Sequence, residues 1–462
     1  MEQQPYRTAY HFQPPKNWMN GLLYSRNHSI YSLSTPNAEI LDINLVKMIT
    51  SATGPMYYKG VYHLFYQYNP YASIWGNITW AHSISYDLVN WIHLDNALSP
   101  DEPFDINGCW SGSTTFLLGE KPVILYTGSD TMNRQVQNLA EPKNLSDPLL
   151  IEWVKSSHNP LMAPVDGIDP KFFRDPTTAW QGPDGLWRVL VGNQMDGHGW
   201  GLLYRSRDFA TWTRSKEPLH SSTRTGMWEC PDFYPVLIDG KDGVDTSSLD
   251  KPTKHVLKAS FNDCDHYFYA SKTFFDSDKK RRILWGWILE FDHTTDDIEK
   301  GWSGLQSIPR SILLGKTGKQ LIQWPVEEIE KQHAENVSFK NKELKGGSVL
   351  EVSGITAFQI WLYFSIADVE VSFDLSNLKE AELMHPSWMD PQLLCSQKTA
   401  SVEGNVGPFG ILAFASKDFT EQTTIFFCVF RSNDEYVVLM CSDQSRSSLR
   451  EGLKKETYGA ST

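Results

Sequence analysis

The sequence predicts an all-β protein, on three observations. Between residues 54 and about 325, short apolar runs recur: VYHLFYQY, TTFLLGEKPVILYTGS, LWRVLVGN, GLLYRS and RILWGW. Turn clusters separate them, among them Asn-Pro, Pro-Asp-Gly, Asn-Gly and Gly-Lys-Asp-Gly. Strands at this spacing build a sandwich, a barrel or a propeller, and periodicity does not choose among the three. Aromatic residues make up 13% of the chain, with 17 Trp, a density that belongs to packed β cores. The third observation is a repeat: Asp87-Leu88-Val89-Asn90-Trp91 returns as Asp208-Phe209-Ala210-Thr211-Trp212. It hints at a repeated blade.

The elements follow in order. The strand-rich region ends near Pro325. From Gln323 to Lys345 the composition becomes charged (EEIEKQHAENVSFKNKELKGG), as expected of a short helix and linker. A second β region follows Gly347, with VLEVSG, ADVEVSFDL, GPFGILAFAS, TIFFCVF and EYVVLMCS. The expected division is therefore 1–325, a linker 326–346, and 347–462. The N-terminal flank carries an anomaly. Trp18-Met19-Asn20 is followed by Gly21–Thr53, which matches neither neighbour, before Gly54-Pro55-Met56 opens the regular pattern.

Bulk properties narrow the function classes. The net charge of −13 argues against nucleic acid and against an anionic membrane surface. No run of about 18 apolar residues is present, so no membrane-spanning helix is expected. The start, MEQQPYRTAYHF, has no apolar signal segment. The six cysteines show no CxxC pair or Cys/His cluster with metal spacing. No metal and no cofactor are expected, and a monomer is. Sequons stand at Asn27, Asn77, Asn144 and Asn336, permissive for glycosylation on a secretory route.

Several motifs then point one way. Joined through Asp-Pro-Asn, the two flanks of Gly21–Thr53 would spell WMNDPNGPMYYKG. Further along stand Trp110-Ser111-Gly112-Ser113, Phe173-Arg174-Asp175-Pro176 and Trp228-Glu229-Cys230-Pro231-Asp232-Phe233. ASKTFFD, RRILWGW and GKQLIQWPVEEIE complete the set. In order and number these resemble glycoside hydrolase family 32, the β-fructofuranosidases, in the plant cell-wall branch that includes invertases and fructan exohydrolases. The resemblance runs from about Tyr6 to the C-terminus, with breaks. It implies a five-bladed β-propeller (1–325, insert 21–53) with an axial site, followed by a β-sandwich (347–462) that is truncated here. It also implies a secreted, cell-wall location and a substrate that is sucrose or a fructan. The breaks at 21–53, 261–267, 360–366 and the C-terminus are abrupt and flanked by clean family sequence, the pattern left by exon loss or intron read-through.

The resemblance assigns roles by position. Hydrolysis with retention needs two carboxyl groups about 5–5.5 Å apart, one nucleophile and one acid/base. Glu229 is the implied acid/base, and Asp175 the implied partner of the fructose hydroxyls. The implied nucleophile is the Asp of the missing tripeptide. Within the insert, Glu39 and Asp42 are the alternative carboxylates, although a group misplaced by about 1 Å loses most of its effect. Trp18, Trp75 and Trp110 are expected to line the pocket, with Asn20, Gln67 and Ser111 as hydrogen-bonding groups. Polar side chains beside aromatic rings suit a sugar. Arg174 is either a clamp for a hydroxyl or carboxylate, or half of a structural ion pair. Cys395 and Cys441 match a bridged pair of the family, and Cys109 and Cys230 read as buried thiols. Loss of the nucleophile leaves two readings open: an impaired hydrolase or a catalytically silent sugar-binding homologue.

Overall fold

The computed structural model describes residues 11–19, 30–33, 54–223, 225–248, 250–261, 268–288, 293–332, 338–352, 369–385, 388, 390–397, 405–432, 435–453, 455 and 457–461. The chain divides into two compact units, Met1–Asp368 and Val369–Thr462.

The first unit is built, among the described residues, from five sheets in which strands consecutive in sequence mostly lie side by side. The first runs Asn17–Met19, Val61–Asn69, Thr79–Ser85, Trp91–His93. The second runs Cys109–Leu117, Lys121–Ser129, Gln135–Pro142, Trp153–Lys155. The third runs Phe173–Arg174, Trp187–Met195, His198–Ser206, Thr213–Arg214. The fourth begins with Trp228–Leu237 and Thr253–Phe261; the fifth runs Phe268–Asp276, Arg281–Ile288, Arg310–Leu314, Leu321–Pro325. Each sheet touches the next, and the fifth touches the first where Phe268–Asp276 meets Met56–Tyr58; Asn17–Met19 pairs in parallel with Trp302–Ser303 within the first sheet. The sheets thus close a ring. Closure explains why these strands read as apolar runs rather than as alternating patterns: both faces of each sheet are covered by neighbours. In Lys121–Ser129 every residue but the first is buried.

The repeated Asp…Trp motif is a corner that leads into the outermost strand. Asp87 Oδ1 accepts the backbone N–H groups of Val89 and Asn90 at 3.0 and 2.7 Å. Leu88 turns left-handed (φ 62°), and Trp91 Nε1 donates to its carbonyl at 3.2 Å. The corner at Asp208 repeats this, with Phe209 at φ 64° and Trp212 Nε1 on its carbonyl at 3.2 Å. A third copy is degenerate in sequence: Leu150 is left-handed and receives Trp153 Nε1 at 2.9 Å. Asp caps the turn and the ring pins it, so the fold keeps this solution where the letters drift.

Gly21–Thr53 interrupts one strand rather than joining two. Met19 stands opposite Tyr68 and Met56 opposite His63, so both flanks lie on Val61–Asn69. Within the segment, Ile30–Leu33 pairs antiparallel with Thr253–Phe261, Leu33 opposite His255 and Ile30 opposite Lys258. The sequence carries no signal for that pairing. It occupies the edge of a fourth sheet that has two other strands.

The second unit holds one described sheet. Glu382–Leu383, Thr423–Ser432, Glu435–Asp443 and Thr457–Ser461 follow one another, with Phe409–Ala413 also on Thr423–Ser432. A disulfide joins Cys395, in the helix Pro391–Gln397, to Cys441, with Cα atoms 5.5 Å apart. Its core comprises Leu394, Phe426, Cys428, Phe430 and Leu439 beside the bridge. Two expected strands are not formed: 349–352 and 369–375 have no sheet partner among the described residues. β-propensity alone does not make a strand; a neighbouring edge must supply the hydrogen bonds. Phe373 instead packs its ring on Phe409, 5.2 Å between centroids.

The charged stretch does begin with a helix, Glu327–Glu330. It is bolted to the first unit: Glu328 accepts Arg281 Nη1 at 2.8 Å and Nη2 at 2.7 Å, and Lys279 at 2.6 Å. Burial alone would raise the Glu328 pKa, but these cations hold it at about 2.

Candidate active site

Phe173–Arg174 leaves the third sheet at Asp175, and Trp228–Leu237 opens the fourth with Glu229. The two segments meet in a buried cluster. Arg174 Nη2 donates to Glu229 Oε1 at 2.5 Å, and its Nε lies 3.9 Å from Asp175 Oδ2. The two carboxyl groups therefore share one guanidinium, although they are far apart in sequence. Gln135 Oε1 and the Lys171 carbonyl take Arg174 Nη1 at 3.2 and 3.0 Å, which fixes the plane of the fork. Arg174 thus forms an ion pair with Glu229.

Asp175 is 4% exposed and sits in the left-handed region at φ 65°. Its Oδ2 accepts the Cys230 N–H at 2.8 Å and the Cys230 thiol at 3.5 Å. Its own N–H donates to Thr127 Oγ1 at 2.8 Å. A non-glycine residue held at positive φ is a strained position that its surroundings must over-determine. Thr127 and Gln137 supply that support, with Thr127 Oγ1 to Gln137 Oε1 at 2.9 Å and Gln137 Nε2 to the Phe173 carbonyl at 2.7 Å. Gln135, Thr127 and Gln137 were invisible to motif reading, since they lie on strands of another sheet and carry no local signature.

Glu229 is 5% exposed. Burial pushes its pKa up, the Asp175 charge adds to this, and Arg174 opposes without cancelling it. A carboxyl whose proton is held more tightly than usual suits a general acid. Arg174 remains a cation: burial works against its charge, but Glu229 and Asp175 more than compensate. Cys230 is a buried free thiol whose pKa burial raises, so it is poorly suited to nucleophilic work. Cys109 is likewise buried and free.

The remaining expected residues gather on adjoining strands. Gln67 Nε2 donates to Ser111 Oγ at 2.8 Å. Trp75 and Trp110 meet edge to face at 6.0 Å, and Trp80 Nε1 holds the Trp110 carbonyl at 2.8 Å. Ser113, two residues beyond Ser111, donates to the Pro176 carbonyl at 2.8 Å and so ties this strand to the Asp175 loop. Trp18 is buried at 3% exposure, opposite Asn69. Asn20 lies outside the described residues, as do Glu39, Asp42 and the sequons at Asn27 and Asn336. Asn77 and Asn144 are exposed. Among the described residues, no group of three His, Cys, Asp or Glu side chains is placed to hold a metal ion.

A closed ring of sheets brings two buried carboxyl groups onto one arginine, the kind of paired-carboxyl set that glycoside hydrolysis uses. The chain belongs to glycosyl hydrolases family 32. Residues 46–267 and 246–325 match the model of the glycosyl hydrolases family 32 N-terminal domain. The chain is 51% identical to the β-fructofuranosidase insoluble isoenzyme CWINV1 of Arabidopsis thaliana, over 99% of this chain and 79% of that one. It is 47% identical to fructan 6-exohydrolase of Beta vulgaris, over 98% of this chain and 75% of that one. The crystal structure of fructan 1-exohydrolase IIa from Cichorium intybus superposes with a TM-score of 0.88 at 48% identity, covering 100% of this chain and 86% of that one. The propeller-plus-sandwich fold class expected from sequence is that of this relative. The alignment with CWINV1 spans 499 positions, more than the 462 residues here, so the relative has residues opposite gaps in this chain.

Proposed function

We propose that this chain is a cell-wall-type β-fructofuranosidase by descent, with a site for the terminal β-D-fructofuranosyl unit of sucrose or a fructan and a severely impaired hydrolytic step. The observation that carries the reading is the shared guanidinium: Glu229, buried and inclined to hold its proton, stands against Arg174 and Asp175. In this reading Glu229 is the acid/base of a retaining mechanism, and Asp175 steadies the fructosyl cation through its hydroxyls. Gln67, Ser111, Trp75, Trp110, Trp18 and Asn20 shape the pocket. The sheet ring, residues 1–325 with the insert 21–53, is the catalytic domain; 326–346 links it to the sandwich region 347–462. The relatives in solved complexes support the substrate class: the Cichorium intybus enzyme was solved with 1-kestose. The relatives named as cell-wall or insoluble isoenzymes support a secreted, cell-wall setting, with Asn77, Asn144 and Asn336 as glycan sites.

Impairment follows from the interrupted strand. The position after Asn20, where the family's nucleophile belongs, is taken by Gly21–Thr53, and the strand resumes only at Met56. Loss of a catalytic nucleophile in other hydrolases costs about 10⁴–10⁶ in kcat. This same interruption supports the second reading, a fructoside-binding homologue without turnover. The test is fructose release from sucrose, 1-kestose and levan. The chain as it stands is compared with versions in which Asp-Pro-Asn replaces Gly21–Thr53, alone and with the other breaks restored. Restoration at all breaks raises turnover by orders of magnitude; Asp-Pro-Asn alone is necessary for this but not sufficient. Substantial turnover by the unaltered chain that disappears with Asp42→Ala would refute the reading, because the insert would then supply its own nucleophile.

A further inference from the structure

The strand that carries Glu229 is bulged. Glu229 pairs with Ser260 and Asp232 with Lys258, so Cys230 and Pro231 have no partners on the neighbouring strand. Cys230 is left-handed there (φ 43°), and Pro231 has no N–H. A bulge re-aims side chains at the cost of ladder hydrogen bonds. The carbonyls it releases are buried and must be satisfied by something else.

They are satisfied by the side-chain amino groups of two buried lysines. Lys258 Nζ donates to the Cys230 carbonyl at 3.0 Å and to the Ser271 carbonyl at 2.9 Å. Lys272 Nζ donates to the Pro231 carbonyl at 2.7 Å and reaches the Pro176 carbonyl at 3.5 Å. The two lysines are 3% and 2% exposed. Burying two cations is expensive unless acceptors and counter-charges surround them. Burial lowers the pKa of both lysines, that of Lys258 to about 7, and the charges of Asp232 and Asp175 oppose the shift without cancelling it. Lys272 also reaches across: Pro176 follows Asp175, and Pro231 lies two residues beyond Glu229. Lys272 itself follows a second bulge, between Tyr269 and Lys272.

The geometry points to Lys258 and Lys272 as positioning residues of the site, which lock the Glu229 bulge and the Asp175 loop to each other through the backbone carbonyls of Cys230, Pro231 and Pro176. Neither lysine touches the proposed sugar; each acts by holding the frame of the two carboxyl groups. This deepens the proposed fructosyl site and rests on that reading for its meaning, but its geometry has a readout that does not involve sugar. Cys230 is a free thiol inside the lock, and Cys109 and Cys428 are buried cysteines outside it.

The experiment is thiol alkylation with iodoacetamide, followed by peptide mass spectrometry, on the full chain and on Lys272→Met, Lys258→Met and Lys272→Arg. Local opening of the lock exposes one thiol without global unfolding. Cys230 is expected to label at least about tenfold faster in Lys272→Met and Lys258→Met, with Cys109 and Cys428 unchanged. Lys272→Arg, which keeps a cation and donors, is expected to restore much of the protection. Equal acceleration at all three thiols in both Met variants would overturn the proposal, since the lysines would then hold the whole fold. Unchanged labelling of Cys230 in both would overturn it as well. Binding of 1-kestose, followed by tryptophan fluorescence, separates the two layers. A chain that binds no 1-kestose but shows selective Cys230 labelling refutes the sugar site and keeps the lock.

Discussion

Replacing Arg174 by Met is the sharpest single perturbation of the candidate site. The side chains have similar reach, so packing is largely kept while the charge and its donors go. Glu229 then loses the cation at 2.5 Å and keeps Asp175 as a neighbour. Breaking a buried ion pair by removing one partner costs about 3–5 kcal/mol when the other stays charged. Glu229 has an escape, because it can bind a proton. Its folded-state pKa is already raised by burial and by Asp175. Without Arg174 it rises further. A carboxyl with a raised folded pKa contributes stability that is fully present below its unfolded value, about 4.3, and is lost as pH rises through the folded value. The variant is therefore expected to lie close to the parent near pH 4.5 and to fall behind as pH increases. The gap approaches the full figure of about 3–5 kcal/mol only where Glu229 is forced to ionise. Urea unfolding followed by tryptophan fluorescence, at half-unit steps from pH 4.5 to 8, measures the gap. A destabilisation of constant size across that range would refute the reasoning. It would mean that Arg174 matters through its bonds to Gln135 and the Lys171 carbonyl, which do not titrate, rather than as the counter-charge of Glu229.

Two further outcomes are expected. Gly192→Ala places a Cβ 2.0 Å from the Trp228 carbonyl oxygen and 3.1 Å from that of Arg174. Both obstacles are backbone, so the change should cost about 1–3 kcal/mol or more and disturb the site between them, seen as a lower unfolding midpoint together with weaker 1-kestose binding. Replacing Cys395 and Cys441 together by Ser opens a loop with a sequence separation of 46. On loop entropy this costs about 4 kcal/mol, confined to the Val369–Thr462 unit. Hydrogen exchange should show faster exchange in Thr423–Ser432 and Glu435–Asp443, with the sheets of the first unit unchanged.

The sequence by itself determined the β class, because strands covered on both faces must be written as apolar runs, and runs such as VYHLFYQY and KPVILYTG are exposed to no other reading of comparable economy. It made the family resemblance legible as well, because WSGS, FRDP, WECPDF and the later motifs occur together and in order. It also showed where the chain is interrupted, because Gly21–Thr53 breaks a pattern that resumes intact. The tertiary structure decided what local sequence has no means to encode. It showed that the interruption falls within one strand, because Met19 and Met56 share Val61–Asn69. The runs at 349–352 and 369–375 have the letters of strands without a described edge to pair with, and so are not strands. Nothing in the sequence names a partner for Arg174; only the approach of Glu229 from another sheet supplies one. Lys258 and Lys272 read as ordinary strand lysines, because nothing in HVLKAS or ASKTFF announces burial. Their proposed place in the site comes from two bulges, set by the register of separate strand pairs, which leave backbone carbonyls that buried donors must satisfy.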